Sequence, residues 1–162
     1  MQEKKIELSF ITAPISELSK QEQQLVADAK TAFETAYAPY SGFLVGASIL
    51  LENDKIINGS NQENVAYPSG LCAERVALFH AGARYPDVKV KTIAVSVLSK
   101  NFEVTDVISP CGACRQVMAE YEDKQEQAIK VILHSPTDEV LIANTVEDLL
   151  PFMFKSPLLK KH

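Results

Sequence analysis

The chain has no tryptophan, only three histidines and only three cysteines in 162 residues. Three cysteines, an odd number without a secretory signal, argue against a disulfide framework and raise the question of metal or redox chemistry. The missing tryptophan, with no βαβ pattern beside the paired cysteines, weakens a thioredoxin-like reading. No apolar run approaches the ~18 residues of a membrane span. The start, MQEKKIELSF, carries charges where a signal peptide would be apolar. The expectation is a cytoplasmic protein without a membrane partner. Positive charge is also short. Sixteen basic residues against twenty-one acidic ones leave a formal charge of -5. No footprint favours a phosphate backbone, so nucleic acid is not expected as a partner.

What is present is core-forming material. A 46% hydrophobic content in a chain of one-domain length predicts a single domain over residues 1–162. Residues 1–18 read as an N-terminal extension and 155–162 as a basic tail. KKIELSFI, residues 4 to 11, alternates Ile6, Leu8 and Phe10 inward, a weak strand signal. Ser19 and Glu22 form a capping box, and Leu25, Val26, Ala29, Phe33 and Ala36 follow at helical spacing until Pro39. FLVGASILL (43–51), a turn at Glu52, Asn53 and Asp54, and KIINGSN read as a hairpin.

From Leu71 to Ala83 the apolar residues run nearly all round a helix, the pattern of one covered on most sides. KTIAVSVLS (91–99) predicts a central strand, and Pro110 a helix from Cys111 to about Glu122. IKVILHS and EVLIAN supply two more strands, and TVEDLLPFMF a short closing helix. Alternating helices and strands predict a three-layer α-β-α sandwich on a mixed sheet of about five strands.

Cys111 and Cys114 lie three apart at a helix start, where the positive end of the dipole lowers thiol pKa. Alone, the pair suits a soft divalent ion, a redox couple or a core. Cys72, at a second helix start, makes three thiolates available at one place. His80 lies roughly 12 Å along the helix from Cys72, His134 ends a strand, and His162 lies in the tail. Three protein ligands without a fourth are the pattern of a catalytic zinc site. Three thiolates over-neutralise a dication, and Arg75 and Arg115 are placed to draw negative charge from sulfur. Glu74, two residues from Cys72, can act as general acid and base if it stands beside the open position; seen alone it reads first as a surface glutamate in a first helical turn.

CAER at 72–75 with PCGACRQ at 110–116 resembles the zinc-dependent cytidine deaminases, specifically the small homotetrameric class with three cysteine ligands. NQENVAY (61–67) is similar to that family's substrate loop, APYSGFLVGA (38–47) to its first strand, and LLPFMF (149–154) to its C-terminal element. The resemblance implies one Zn2+ per chain on Cys72, Cys111 and Cys114, with Glu74 as proton shuttle. The reaction it implies is deamination of cytidine, and of deoxycytidine, by a zinc-bound hydroxide, in pyrimidine salvage. Asn61 and Glu63 are implied on the ribose, and Phe43 and the Ala73 amide on the base. Tyr67 and Phe154 are implied to reach the site of a neighbouring subunit, hence a homotetramer. Phe152 departs from the family, which commonly has glycine there. Two alternatives stand: a related deaminase of an aminopyrimidine antibiotic, free base or nucleotide, and a non-catalytic metal-binding or redox module.

Overall fold

The computed structural model describes residues 1–156, so residues 157–162 of the basic tail, His162 among them, lie outside the described residues. The chain order is β1 (Phe10–Pro14), α1 (Lys20–Phe33), β2 (Phe43–Leu51), β3 (Ile56–Ser60), α2 (Ala73–Arg84), β4 (Val90–Ser99), α3 (Gly112–Gln125), β5 (Lys130–His134) and β6 (Glu139–Ala143). The strands form one sheet in the order β1-β6-β5-β4-β2-β3. Only β4 and β5 pair in parallel, joined through α3; the other neighbours are antiparallel.

The sheet has two covered faces. On one, Leu25, Val26 and Ala29 of α1 pack on Leu50, Ala94, Ile132 and Ile142. On the other, Ala73, Ala77, Leu78 and Ala81 of α2 and Met118 and Ala119 of α3 cover Ala47, Ile49, Ile93, Val95 and Leu133. Burial on both sides explains why β2 and β4 read as near-continuous apolar runs. The expected capping box starts α1: the Ser19 hydroxyl accepts from the Glu22 amide and the Glu22 carboxylate accepts from the Ser19 amide. At β3, Gly59 lets α2 seat closely, since a Cβ there would stand 2.6 Å from Ala77 N and 2.8 Å from Ala73 O.

Five expectations are corrected in detail. The sheet has six strands, not about five. The sixth, β1, begins at Phe10 instead of Lys4, and Ile6, Leu8, Phe10 and Ile11 are exposed. As an edge strand held by backbone pairing to β6, it needs no inward apolar face. Pro110 precedes the N-cap Cys111 and stands outside α3. The C-terminal helix is a single 3-10 turn, Val146–Asp148, capped by Thr145 and not extended toward Pro151, which lacks a backbone donor. Helix α2 is covered by the sheet and in part by α3, where Tyr121 donates to Leu78 O, and its remaining side leaves Phe79 45% exposed.

Candidate active site

The site forms where α2 and α3 begin. Cys72 is the N-cap of α2 and Cys111 the N-cap of α3, with Cys114 one turn further along. Cys72 Sγ lies 3.8 Å from Cys111 Sγ, and Cys111 Sγ lies 3.5 Å from Cys114 Sγ. All three sulfurs fall within 4.8 Å of one another, the only such ligand cluster among the described residues. A tetrahedral zinc with bonds of about 2.3 Å sets its sulfurs roughly 3.8 Å apart, so the trio fits zinc as placed. Neither His80 nor His134 joins them: His80 is exposed on α2, and His134 Nδ1 lies 2.8 Å from Ser96 Oγ within the sheet.

The electrostatics suit a cation. The Cys72 thiol is pulled down to about 5, first by its hydrogen bond with Cys114, then by Arg75 and Cys111, against the opposing effect of burial. The Cys114 thiol is pushed up, chiefly by Cys72 and by its own burial, with Glu74 adding to the effect. Arg75 supplies a counter-charge, its Nη2 standing 3.7 Å from Cys72 Sγ. Arg115 is placed differently. Its Nε donates to Pro110 O at 2.7 Å and its Nη1 to Leu149 O at 3.1 Å, bracing the start of α3 against the C-terminal turn.

Glu74 is 3% exposed, and its Oε2 has no hydrogen-bond partner among the described residues. Burial is the first cause holding its pKa above the usual carboxylate range, and the Cys72 charge adds to it. A buried carboxylate oxygen without a partner is costly unless a ligand completes it. Glu74, Cys72, Cys111 and Arg75 all line one cleft of about 730 Å³. Ala73, fully buried, lies between Cys72 and Glu74, and its amide heads α2 where a helix leaves donors unpaired.

The sugar-loop candidates reach the same cleft through a closed loop. Gln62 and Leu71 exchange both backbone hydrogen bonds, at 2.8 and 2.9 Å, bringing 61–63 beside Cys72. Asn61 Oδ1 accepts from Val45 N at 2.8 Å while its Nδ2 donates to Phe43 O at 2.9 Å, leaving one hydrogen and one lone pair free. Glu63 accepts from the Ser41 hydroxyl and from the amides of Tyr40 and Ser41, which hold its carboxyl below the usual range. Phe43 and Tyr67 also line the cleft. Tyr67 is 75% exposed and meets Tyr40 edge-on, with ring centroids 6.0 Å apart.

Phe154 does not line the cleft. The Gln116 amide grips its backbone, accepting from Phe154 N at 2.9 Å and donating to Phe154 O at 2.8 Å, and the residue is 74% exposed. Sequence reasoning missed Ile108 and Ser109 of the cleft lining, and Phe102, which stacks on Phe43. The β4–α3 connection has no periodicity or motif through which these residues could have been found.

Fold and site together define a zinc-binding protein in which a buried carboxylate shares one cleft with cysteines spaced to hold the ion. The family model for the cytidine and deoxycytidylate deaminase zinc-binding region matches residues 19–129, and the chain belongs to that family. A cytidine deaminase of Halalkalibacterium halodurans is 39% identical over 132 residues, covering 82% of this chain and 92% of that protein. A cytidine deaminase of Sporosarcina psychrophila is 40% identical over 135 residues, covering 82% and 90%. The crystal structure of a cytidine deaminase from Burkholderia pseudomallei superposes with a TM-score of 0.70 at 39% identity, over 82% of this chain and 98% of that one.

Proposed function

We propose that this chain is a zinc-dependent cytidine deaminase, converting cytidine and deoxycytidine with water to uridine or deoxyuridine plus ammonia. The observation that carries the reading is the unpartnered, buried Glu74 carboxylate beside three sulfurs spaced for zinc. Cys72, Cys111 and Cys114 hold the ion, which when bound supplies the Lewis acidity that makes water nucleophilic near neutral pH. Glu74 takes one proton from the attacking water and passes it to N3 of the pyrimidine; it then takes the remaining proton from the oxygen added at C4 and delivers it to the amine, which leaves as ammonia. Its raised pKa suits a group that must be protonated in mid-cycle. Arg75 offsets the excess thiolate charge at Cys72. Arg115 serves the site by fixing the start of α3, and so the direction of Cys111 and Cys114.

Phe43 flanks the base, the Ala73 amide donates to it, and Asn61 and Glu63 take the ribose hydroxyls with their remaining hydrogen-bonding capacity. Among the described residues lining the cleft, Arg75 is the only cation, and it is engaged with Cys72. A 5′-phosphate would meet Glu63 without a counter-charge, which supports a nucleoside over a nucleotide. Phe79, Phe152 and Phe154 are exposed in one chain, at 45%, 82% and 74%. Such aromatic surface supports assembly into a homotetramer in which Phe154 and Tyr67 complete neighbouring sites. The whole chain acts as one domain in the cytoplasm, in pyrimidine salvage.

The test is zinc content per chain with the ultraviolet change on cytidine, cytosine and cytidine monophosphate. Glu74→Gln should keep zinc and lose about 10²- to 10⁴-fold in turnover of cytidine. Loss of zinc in that variant would make Glu74 a ligand or structural residue, and turnover of the monophosphate alone would sink the nucleoside assignment.

A further inference from the structure

The segment after β4, residues 100–102, sits behind the turn that carries Phe43. Gly42 adopts φ +65, a left-handed conformation that favours glycine, and turns the chain from Ser41 into β2. Three contacts from 100–102 fall on this turn. Lys100 N donates to Gly42 O at 3.0 Å. Asn101 Nδ2 donates to Ser41 O at 2.7 Å, and it lies so close to Gly42 that a Cβ there would stand 2.6 Å from it. The Phe102 ring stacks on Phe43 with centroids 6.0 Å apart and planes 10° from parallel.

The segment is itself anchored, since the Ser99 hydroxyl accepts from the amides of both Asn101 and Phe102. Ser41 and Phe43 line the cleft, whereas Asn101 and Phe102 do not. On the cleft side, Glu63 and Asn61 hold the same turn through the amides of Tyr40, Ser41 and Val45 and the Phe43 carbonyl. The turn is therefore gripped from both sides, and only the inner grip is in the cleft.

We infer that Asn101 and Phe102 are positioning residues for substrate binding, setting the plane of Phe43 and the place of Ser41 from outside the cleft. The inference rests on the nucleoside reading above. An aromatic stack at this offset contributes binding-relevant rigidity on the order of one unit of RT or two. Removing it loosens the ring that faces the base without touching the sulfurs or Glu74.

Phe102→Ala should therefore raise KM for cytidine about three- to tenfold, with kcat changed less than about twofold and zinc content unaltered. The Kd for uridine, measured by calorimetry, should rise by a similar factor. Phe102→Tyr, which keeps the stack, should restore both values. In the Phe43→Ala background, Phe102→Ala should add little, because its effect passes through Phe43. If the wild-type chain turns over cytidine but Phe102→Ala leaves KM and the uridine Kd unchanged, or lowers only thermal stability, the inference fails. Equal effects of Phe102→Ala with and without Phe43 would overturn it as well. Absence of turnover in the wild-type chain would instead overturn the nucleoside reading.

Discussion

Replacing Gly59 with alanine tests whether the seat of α2 on β3 sets the geometry of the site. The three atoms nearest the added methyl would all be backbone: Ala77 N at 2.6 Å, Ala73 O at 2.8 Å and Ala77 Cα at 3.1 Å. Ordinary contact begins near 3.4 Å, so α2 must retreat by about 0.8 Å, and backbone has no rotamer with which to evade. Overpacking of this kind costs roughly 1 to 3 kcal/mol. For a chain of this length that lowers Tm by about 2 to 12 °C. Ala73 is flanked by Cys72 and Glu74, so the retreat also displaces a sulfur and the carboxylate. Displacements near 1 Å cost up to about 100-fold in catalysis. Calorimetric Tm, zinc content and kcat/KM for cytidine should fall together. Gly112→Ala provides the contrast. It lies between the cysteines of the pair, yet a Cβ there meets nothing within 4 Å, and in a helix's first turn alanine should be neutral or stabilising by up to about 1 kcal/mol. A Gly59→Ala protein with unchanged Tm and full activity would refute the close seating of α2.

Arg75→Gln removes the guanidinium beside Cys72 and should weaken zinc retention by about 10- to 100-fold, read as release to a competing chelator; unchanged retention would remove its compensating role. Acid should act through His134 as well. Burial, and then the charge of Lys30, hold its imidazole down to about 4 against an ordinary 6.5. The unfolded chain binds this proton and the folded one does not. The corresponding stability is therefore intact above pH 6.5 and lost as pH falls toward 4, by at most about 3 kcal/mol. Thermal melts between pH 7.5 and 4 should show a shallower decline for His134→Gln; identical slopes would refute the assignment.

How much of this was legible in the sequence depends on whether a residue's role is local. The Ser19–Glu22 box marks the start of α1 because both hydrogen bonds close within four residues. The shared face of Cys111 and Cys114 was legible for the same reason, since a helix start orients its own first turn, whereas Glu74 alone reads as a surface glutamate and its expected role came from the resemblance of CAER and PCGACRQ to the deaminases. The charge roles of the arginines were separable only in three dimensions, since Arg75 turns to Cys72 whereas Arg115 turns to Leu149, 34 residues away. Phe102 was invisible because its partner is Phe43, across the β2–β4 pair, and nothing in NFEVTD repeats at a helical or strand period. The position of β1 was misread because alternation reports a buried face, and an edge strand bound through its backbone has none to report.

The sulfurs come from helix starts 39 residues apart in the chain, with α2 and β4 between them. The ion is thus a removable cross-link, closing a long loop much as a disulfide would, but set by mass action instead of redox potential. At free zinc a hundredfold above its Kd, that link adds about 2.7 kcal/mol to folding, and near the Kd it adds almost nothing. Zinc supply would consequently tune the stability of the fold as well as the fraction of chains able to react.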